Sequence, residues 1–339
     1  MDNSILVSFI IPAYNAASTL AACVDSITCR KSNDYEIIIV ENGSSDSTYQ
    51  LALFLTKEYP QIKVFQSKKG VSNARNLGIE EAVGKWIFFV DADDKLISEK
   101  INSVFDDAVK SSSDLIIYSH IAGSESRPVT DAARSFKNAE VENARIIMLE
   151  SPTRYMTVWA KLFRRDIANN YNIRFNSELS FSEDSHFIFN YTKHCAEITF
   201  SEEAVYNYVL SECSAVRTLN SGKIDSYLLA LNETAKLTYG ESGAVKAAFN
   251  CFVLMHLNLI GVHEVFAVNS KGSFAEKTRT FKTLCLNPVF NTPLNELKIT
   301  DCNRLAMLPP LFAKMRLYAL SGIVLALRSF QNKRKEDHN

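Results

Sequence analysis

The sequence predicts an α/β fold: a mostly parallel central sheet with flanking helices, followed by a helical C-terminal region. Three observations predict it. Residues 5 to 120 alternate short apolar runs with helical patterns, and such alternation implies right-handed crossovers between parallel strands. Several of the runs are apolar almost throughout, as strands covered on both faces are. Beyond Ser211 the apolar periodicity is helical only.

In chain order, strands are expected at 6–11, 36–40, 62–66, 86–91 and 115–118, with helices at 18–27, 47–59, 71–83 and 98–110 between them. From 121 to 150 the chain turns polar, with Gly123, Ser124, Ser126 and Pro128, which suggests a long loop or hairpin. Aromatic and apolar content returns over 155–210. Helices are then expected at 224–237, 244–266, 274–286 and 304–330. The expected division is an α/β domain over 1–212 and a helical region over 213–339.

The totals exclude some functions. With 339 residues and a net charge of −1, the chain has no long-range field suited to nucleic acid. The N-terminal apolar run has no basic residue before it and reaches Pro12 within a few residues; it reads as a buried first strand, not a leader. Seven cysteines at 23, 29, 195, 213, 251, 285 and 302 form no CxxC pair, so reduced thiols and a cytoplasmic location are expected.

In parallel sheets ligands bind beyond the carboxyl ends of the strands, which places chemistry just after residues 11, 40, 66 and 90. Asp91-Ala92-Asp93-Asp94 follows one apolar strand. In an extended segment residues two apart point to the same side, so Asp91 and Asp93 would converge. Two such carboxylates repel unless a cation joins them, and Mg²⁺ or Mn²⁺ commonly takes one or two carboxylates plus substrate phosphate oxygens. The plainer alternative is a polar turn with Asp94 as a solvated end. Asn15 follows the first strand, and Gly43 gives a close turn after the second, with Asp46 or Ser47 able to cap the next helix. Arg75 falls near a strand end where a diphosphate could sit, or on the surface of an amphipathic helix.

Taken together, V-S-F-I-I-P-A-Y-N (7–15), V-E-N-G-S-S-D-S-T (40–48), G-V-S-N-A-R-N-L-G (70–78) and F-F-V-D-A-D-D (88–94) resemble the family 2 glycosyltransferases with the GT-A fold. The resemblance covers roughly the first 210 residues. It implies a nucleotide-sugar donor, usually a UDP-sugar, with Pro12, Ala13 and Tyr14 lining the base pocket and Glu41 where the family usually has an aspartate contacting the base. It also implies that Asp91 and Asp93, around Ala92, hold the ribose and the metal-bound diphosphate. The acidic pair usual before Gly-Ser is here Glu41-Asn42, one methylene longer and one charge poorer.

Phe181-Ser-Glu-Asp-Ser-His186 resembles the family's Glu-Asp motif, which makes Asp184 the expected base and Glu183 a supporting acceptor contact. A carboxylate within hydrogen-bond reach of an acceptor hydroxyl can take its proton as the new bond forms. The alternative is an exposed helix start favoured by acidic residues. Trp159, within a segment resembling the family's acceptor side, would stack on a sugar ring or sit in the core. Lys161 and Arg164 would meet phosphates or solvent, and His186 the acceptor, the metal or solvent.

Residues 311–330 are apolar around most of their circumference, with Lys314, Ser321 and Arg328 as a narrow polar stripe and the basic cluster Lys333, Arg334 and Lys335 following. The expectation is either peripheral contact with an anionic membrane face or packing on the fold or a second subunit. The expected activity is inverting transfer of a hexose or N-acetylhexosamine to a hydroxyl of a glycan or lipid-linked glycan in capsule, O-antigen or related polysaccharide synthesis. The competing readings are an inactive carbohydrate-binding subunit and a sugar-phosphate nucleotidyltransferase; the latter would carry a glycine-rich loop after the first strand, where Pro12-Ala-Tyr-Asn-Ala-Ala has no glycine.

Overall fold

A computed structural model describes residues 5–209, 223–298 and 305–336. The chain divides into two compact units, Met1–Arg145 with Thr153–Ser211, and Ile146–Pro152 with Glu212–Asn339. The expected boundary at 212/213 lies outside the described residues.

The first unit carries strands β1 (Val7–Ala13), β2 (Tyr35–Glu41), β3 (Ile62–Gln66), β4 (Trp86–Phe89), β5 (Lys95–Leu96), β6 (Leu115–Ala122), β7 (Glu125–Arg127), β8 (Arg134–Lys137), β9 (Lys161–Arg164) and β10 (Glu197–Tyr208). Its helices include α1 (Leu20–Thr28), α2 (Thr48–Glu58), α3 (Val71–Glu81) and α4 (Ile101–Lys110). Next come α5 (Val141–Glu150), whose residues from Ile146 on belong to the second unit, α6 (Pro152–Tyr155), α7 (Arg165–Asn170) and α8 (Glu183–Thr192). One sheet runs β3-β2-β1-β4-β9-β6-β10-β5. Its first four strands are mutually parallel, as are β6 and β10, while β9 runs antiparallel between β4 and β6. Every residue of β1, β2 and β4 is buried, so helices cover both faces there and the runs need no polar alternation.

Glycine at 78 sets how closely α3 lies on this sheet. A Cβ there would stand 2.3 Å from Ile10 Cγ2 of β1, so a larger residue would push the helix away. Arg75 lies one turn earlier on the same face, and the close approach carries it into the interior.

Two expectations are corrected in this unit. The strand expected to reach residue 91 ends at Phe89, and the acidic residues form a turn closed by Asp94 N–H donating to Asp91 O at 3.0 Å. The 121–150 stretch begins with the hairpin β6–β7, but continues as β8 and α5. The strand β8 pairs with β10, a partner about sixty residues away that local composition does not reveal.

The second unit is helical among its described residues: α9 (Lys223–Lys236), α10 (Gly243–Ile260), α11 (Phe274–Leu286), α12 (Pro288–Glu296), α13 (Leu308–Lys314) and α14 (Tyr318–Glu336). The span Gly243–Val265 is long and apolar enough to cross a bilayer, yet most of it is buried against its own neighbours. The continuous helix expected over 304–330 is broken at 315–317, where Arg316 takes φ +63°. The expected polar stripe is used inside the unit. Lys314 Nζ donates to Asn295 O, Ser321 Oγ to Pro309 O and Arg328 Nη2 to Leu305 O. Gly322 lets α14 approach Phe266, whose ring would be 2.7 Å from a Cβ.

Candidate active site

The strand order places β2 and β3 on one side of β1 and β4 on the other, so the connections diverge between β1 and β4. A crevice opens at the carboxyl ends beside such a switch point. Tyr14 and Asn15 leave β1 there, and Asp91 leaves β4 there, with Ile10 of β1 paired to Phe89 of β4.

The loops after β1 and β2 are stitched together. Asn15, at φ +48°, donates from its backbone to Ser44 Oγ at 3.0 Å, and its Oδ1 accepts from Ser45 N–H at 2.9 Å. Asp46 accepts from the backbone N–H groups of Ala17 and of Thr48, the first residue of α2. Pro12 and Ala13 are buried within β1, while Tyr14 is exposed with Lys69 Nζ 4.9 Å from its ring. Glu41 is buried and held by Ser44 N–H and by Gln66 Nε2 at 3.0 Å. Burial disfavours its charge, but these donors outweigh it and keep the carboxyl below its ordinary range. Gly43, at φ +89°, makes the turn that brings Ser44 back to Glu41.

The acidic turn is anchored from behind. Asp94, expected as a solvated end, is 1% exposed. It accepts Tyr206 O–H at 2.7 Å and Val209 N–H at 2.8 Å, and the same Tyr206 oxygen accepts Asp91 N–H at 3.2 Å. Burial first, and the Asp91 charge second, push Asp94 up to about 8. Register shifts in β10 between Ser201 and Tyr206 are of the kind that re-aim a side chain. Sequence reasoning missed Tyr206; nothing local marks it, since its role depends on β10 lying across the sheet from β4.

Arg75 is the hub. It is 4% exposed and reaches three carboxylates: Asp184 at 2.7 Å and Glu183 at 3.1 Å through Nη1, and Asp91 at 3.2 Å through Nη2. Its guanidinium also lies 5.3 Å from the Phe175 ring. The adjacent Asn76 clamps Phe175 through two 2.8 Å bonds, one to its carbonyl and one from its N–H. Both sequence readings of Arg75, diphosphate contact and surface charge, give way to a buried tie between the strand-end turn and α8.

Asp184 lies in the first turn of α8, behind Ser182 at φ +57°. Its second oxygen accepts Val158 N–H at 3.2 Å. Burial pushes Asp184 up to about 6 against the pull of Arg75, with the Glu183 charge adding to the rise. Partial desolvation by the surrounding chain likewise raises Asp91 and Asp93, with Arg75 opposing at Asp91 and the Asp91 charge adding at Asp93. Ala92 between them is buried and Asp93 exposed. Neighbouring carboxyls that disfavour each other's charge fit a divalent cation that also takes phosphate oxygens. Among the described residues no group of three His, Cys, Asp or Glu side chains could hold a metal ion, so a cation here would rest on this pair and on substrate oxygens.

Trp159 stacks on Tyr206 at 4.9 Å and Tyr208 at 5.6 Å, with His120 edge-on at 4.7 Å. Lys161, expected at a phosphate or in solvent, is instead buried, with Nζ 3.4 Å from both Thr157 Oγ1 and Trp159 O. Burial pushes it down to about 7 against the pull of Asp184. Arg164 pairs with Asp166. His186 is half-buried two residues beyond Asp184, about 200° around the helix from it.

A switch point with an acidic turn on one side and a half-buried carboxyl at a helix start on the other is an arrangement that suits a transferase of the glycosyltransferase class. Residues 8–171 match the family model described as glycosyl transferase family 2, so this segment carries a domain of that family. The chain is 27% identical over 316 residues to the uncharacterized glycosyltransferase EpsJ of Bacillus subtilis strain 168, covering 89% of this chain and 91% of that one. It is 27% identical over 241 residues to the poly(ribitol-phosphate) β-N-acetylglucosaminyltransferase TarP of Staphylococcus aureus strain N315, covering 69% and 72%. Residues 1–349 of S. aureus TarS in complex with UDP share the fold, with a TM-score of 0.65 at 16% identity over 97% of this chain and 92% of that one.

Proposed function

We propose that this chain transfers a hexose or N-acetylhexosamine from a UDP-sugar to a hydroxyl of a glycan acceptor, with inversion, in the assembly of a surface polysaccharide. The observation that carries the reading is that one buried guanidinium grips both Asp184 and Asp91, which fixes the base relative to the donor turn. Two named similarities point to the donor. TarP is an N-acetylglucosaminyltransferase by name, and TarS has been solved with UDP-GlcNAc.

In this reading Tyr14, Asn15 and Glu41 border the base and Asp91 meets the ribose. Asp91 and Asp93 would hold Mn²⁺ or Mg²⁺, which when bound would neutralise the diphosphate leaving group. Asp184 takes the proton of the acceptor hydroxyl while the oxygen attacks the anomeric carbon. With base and leaving group on opposite faces of the sugar, one displacement inverts the centre, by the same geometry as in inverting glycoside hydrolysis. Glu183 supports the acceptor, and Trp159 borders it. The five described cysteines are free, which accords with a reducing cytoplasm.

The test is thermal stabilisation by a panel of nucleotide-sugars, each with Mn²⁺ and with EDTA, followed by assay of nucleotide release. A metal-dependent shift with one UDP-sugar, and UDP released from it, is expected. Stabilisation without any nucleotide release, even with acceptor glycans present, would favour an inactive binding subunit.

A further inference from the structure

The helix α14 buries one side in its unit and leaves the other bare. Leu325 is fully buried and Ser321 is tied to Pro309, whereas Leu320, Ile323, Leu327 and Phe330 are 44%, 46%, 57% and 54% exposed. Steps of three and four residues put these side chains on one stripe. Arg316 precedes the stripe by four residues and Arg334 follows it by four, both exposed. Leu305, exposed beside Arg328, widens the face.

Charge decides what covers it. Residues 301–339 contain seven lysines and arginines against three acids, Asp301, Glu336 and Asp337, in a chain whose net charge is −1. A second copy laid on this face, parallel or antiparallel, would set the cations at each end against cations. Between Arg304 and Lys335 no acid is available to pair them, as a helix-to-helix seam requires, and Glu336 and Asp337 stand at one end only. An anionic bilayer surface satisfies both features, because its boundary accepts aliphatic side chains while its headgroups attract the arginines.

We propose that this face of α14 docks on an anionic lipid bilayer, with Leu320, Ile323, Leu327 and Phe330 entering the headgroup–acyl boundary and Arg316 and Arg334 meeting lipid phosphates. The proposal goes beyond the sugar chemistry and does not depend on it. The full chain is sedimented with vesicles of phosphatidylcholine alone and with vesicles that also contain phosphatidylglycerol. Binding to the anionic vesicles alone, weakening as salt is raised, is the expected result. Ile323→Glu with Leu327→Glu abolishes it, and Arg316→Ala or Arg334→Ala each weakens it about fivefold. These positions are exposed, so circular dichroism melts of the variants should match the parent. Three results would overturn the proposal. The parent protein could remain in the supernatant with anionic vesicles, or bind neutral vesicles equally well. Sedimentation velocity could show an oligomer that the Ile323→Glu, Leu327→Glu variant dissociates, which would make a second copy the occupant.

Discussion

Arg75 Nη1 lies 2.7 Å from Asp184 Oδ1, joining α3 to the start of α8 across 109 residues of sequence. The same guanidinium reaches Asp91 and Glu183. Arg75→Ala therefore strands three carboxyls around a buried space, and a loss of about 3–5 kcal/mol is expected, the usual scale for breaking a buried ion pair. Urea unfolding measures it. Arg75→Lys keeps the charge but loses the fork that spans two partners, so it should recover stability in part and transfer much less. Equal recovery of both would reduce Arg75 to a simple counter-charge.

Asp184→Asn tests the base directly. Its contacts with Arg75 and Val158 are structural, so the donor should still stabilise the variant in a thermal shift. Transfer should fall by about 10²–10⁴. Turnover near that of the parent protein would remove Asp184 from the role.

The same residue predicts a pH profile. Asp184 is pushed up to about 6, and only its ionised form can accept a proton. Transfer at saturating donor and acceptor should rise through about pH 6 and level off above it. A profile flat from pH 5 to 8 would contradict the assignment.

Asp94 predicts a stability effect of definite sign. Its folded value, about 8, lies above the usual carboxyl value of about 4, so between those limits the folded state binds more protons than the unfolded state. Its contribution is full below about pH 4 and is lost as pH rises through 8. Asp94→Asn imitates the protonated acid and should flatten this part of the stability curve, measured by denaturant midpoints across the range.

Tyr206→Phe deletes the hydroxyl that joins Asp94 to the Asp91 backbone. Leaving these buried groups unpaired should cost about 1–3 kcal/mol. The acidic turn should also lose its position, which would appear as weaker metal-dependent stabilisation by the donor. Loss of stability with unchanged donor response would make Tyr206 a core residue only.

The parallel half of the sheet was legible because its signals are local. Apolar runs such as 36–40 and the turns after them belong to single stretches of chain, and β1 to β4 with α1 to α4 form near the expected places. The acidic turn and the Glu-Asp pair at 183–184 were legible as motifs, although the extended geometry expected for Asp91 and Asp93 was not found. Less could be read where neighbours come from far away. Lys161 reads as a surface cation until β9 is seen between β4 and β6, and Asp94 reads as a solvated end until Tyr206 covers it. The break at 315–317 was hidden by composition, because Arg316 in a left-handed conformation carries no glycine to announce it.

By itself the sequence determined the α/β class, the order of the first strands and helices, and the residue types that border the crevice, since backbone periodicity and turn chemistry act over a few residues. Only the tertiary structure decided that Arg75 is a buried tie between Asp91 and Asp184, that Tyr206 holds the acidic turn, and that one side of α14 stays bare. Burial and charge pairing depend on which distant segments meet, and a one-dimensional pattern does not carry that information.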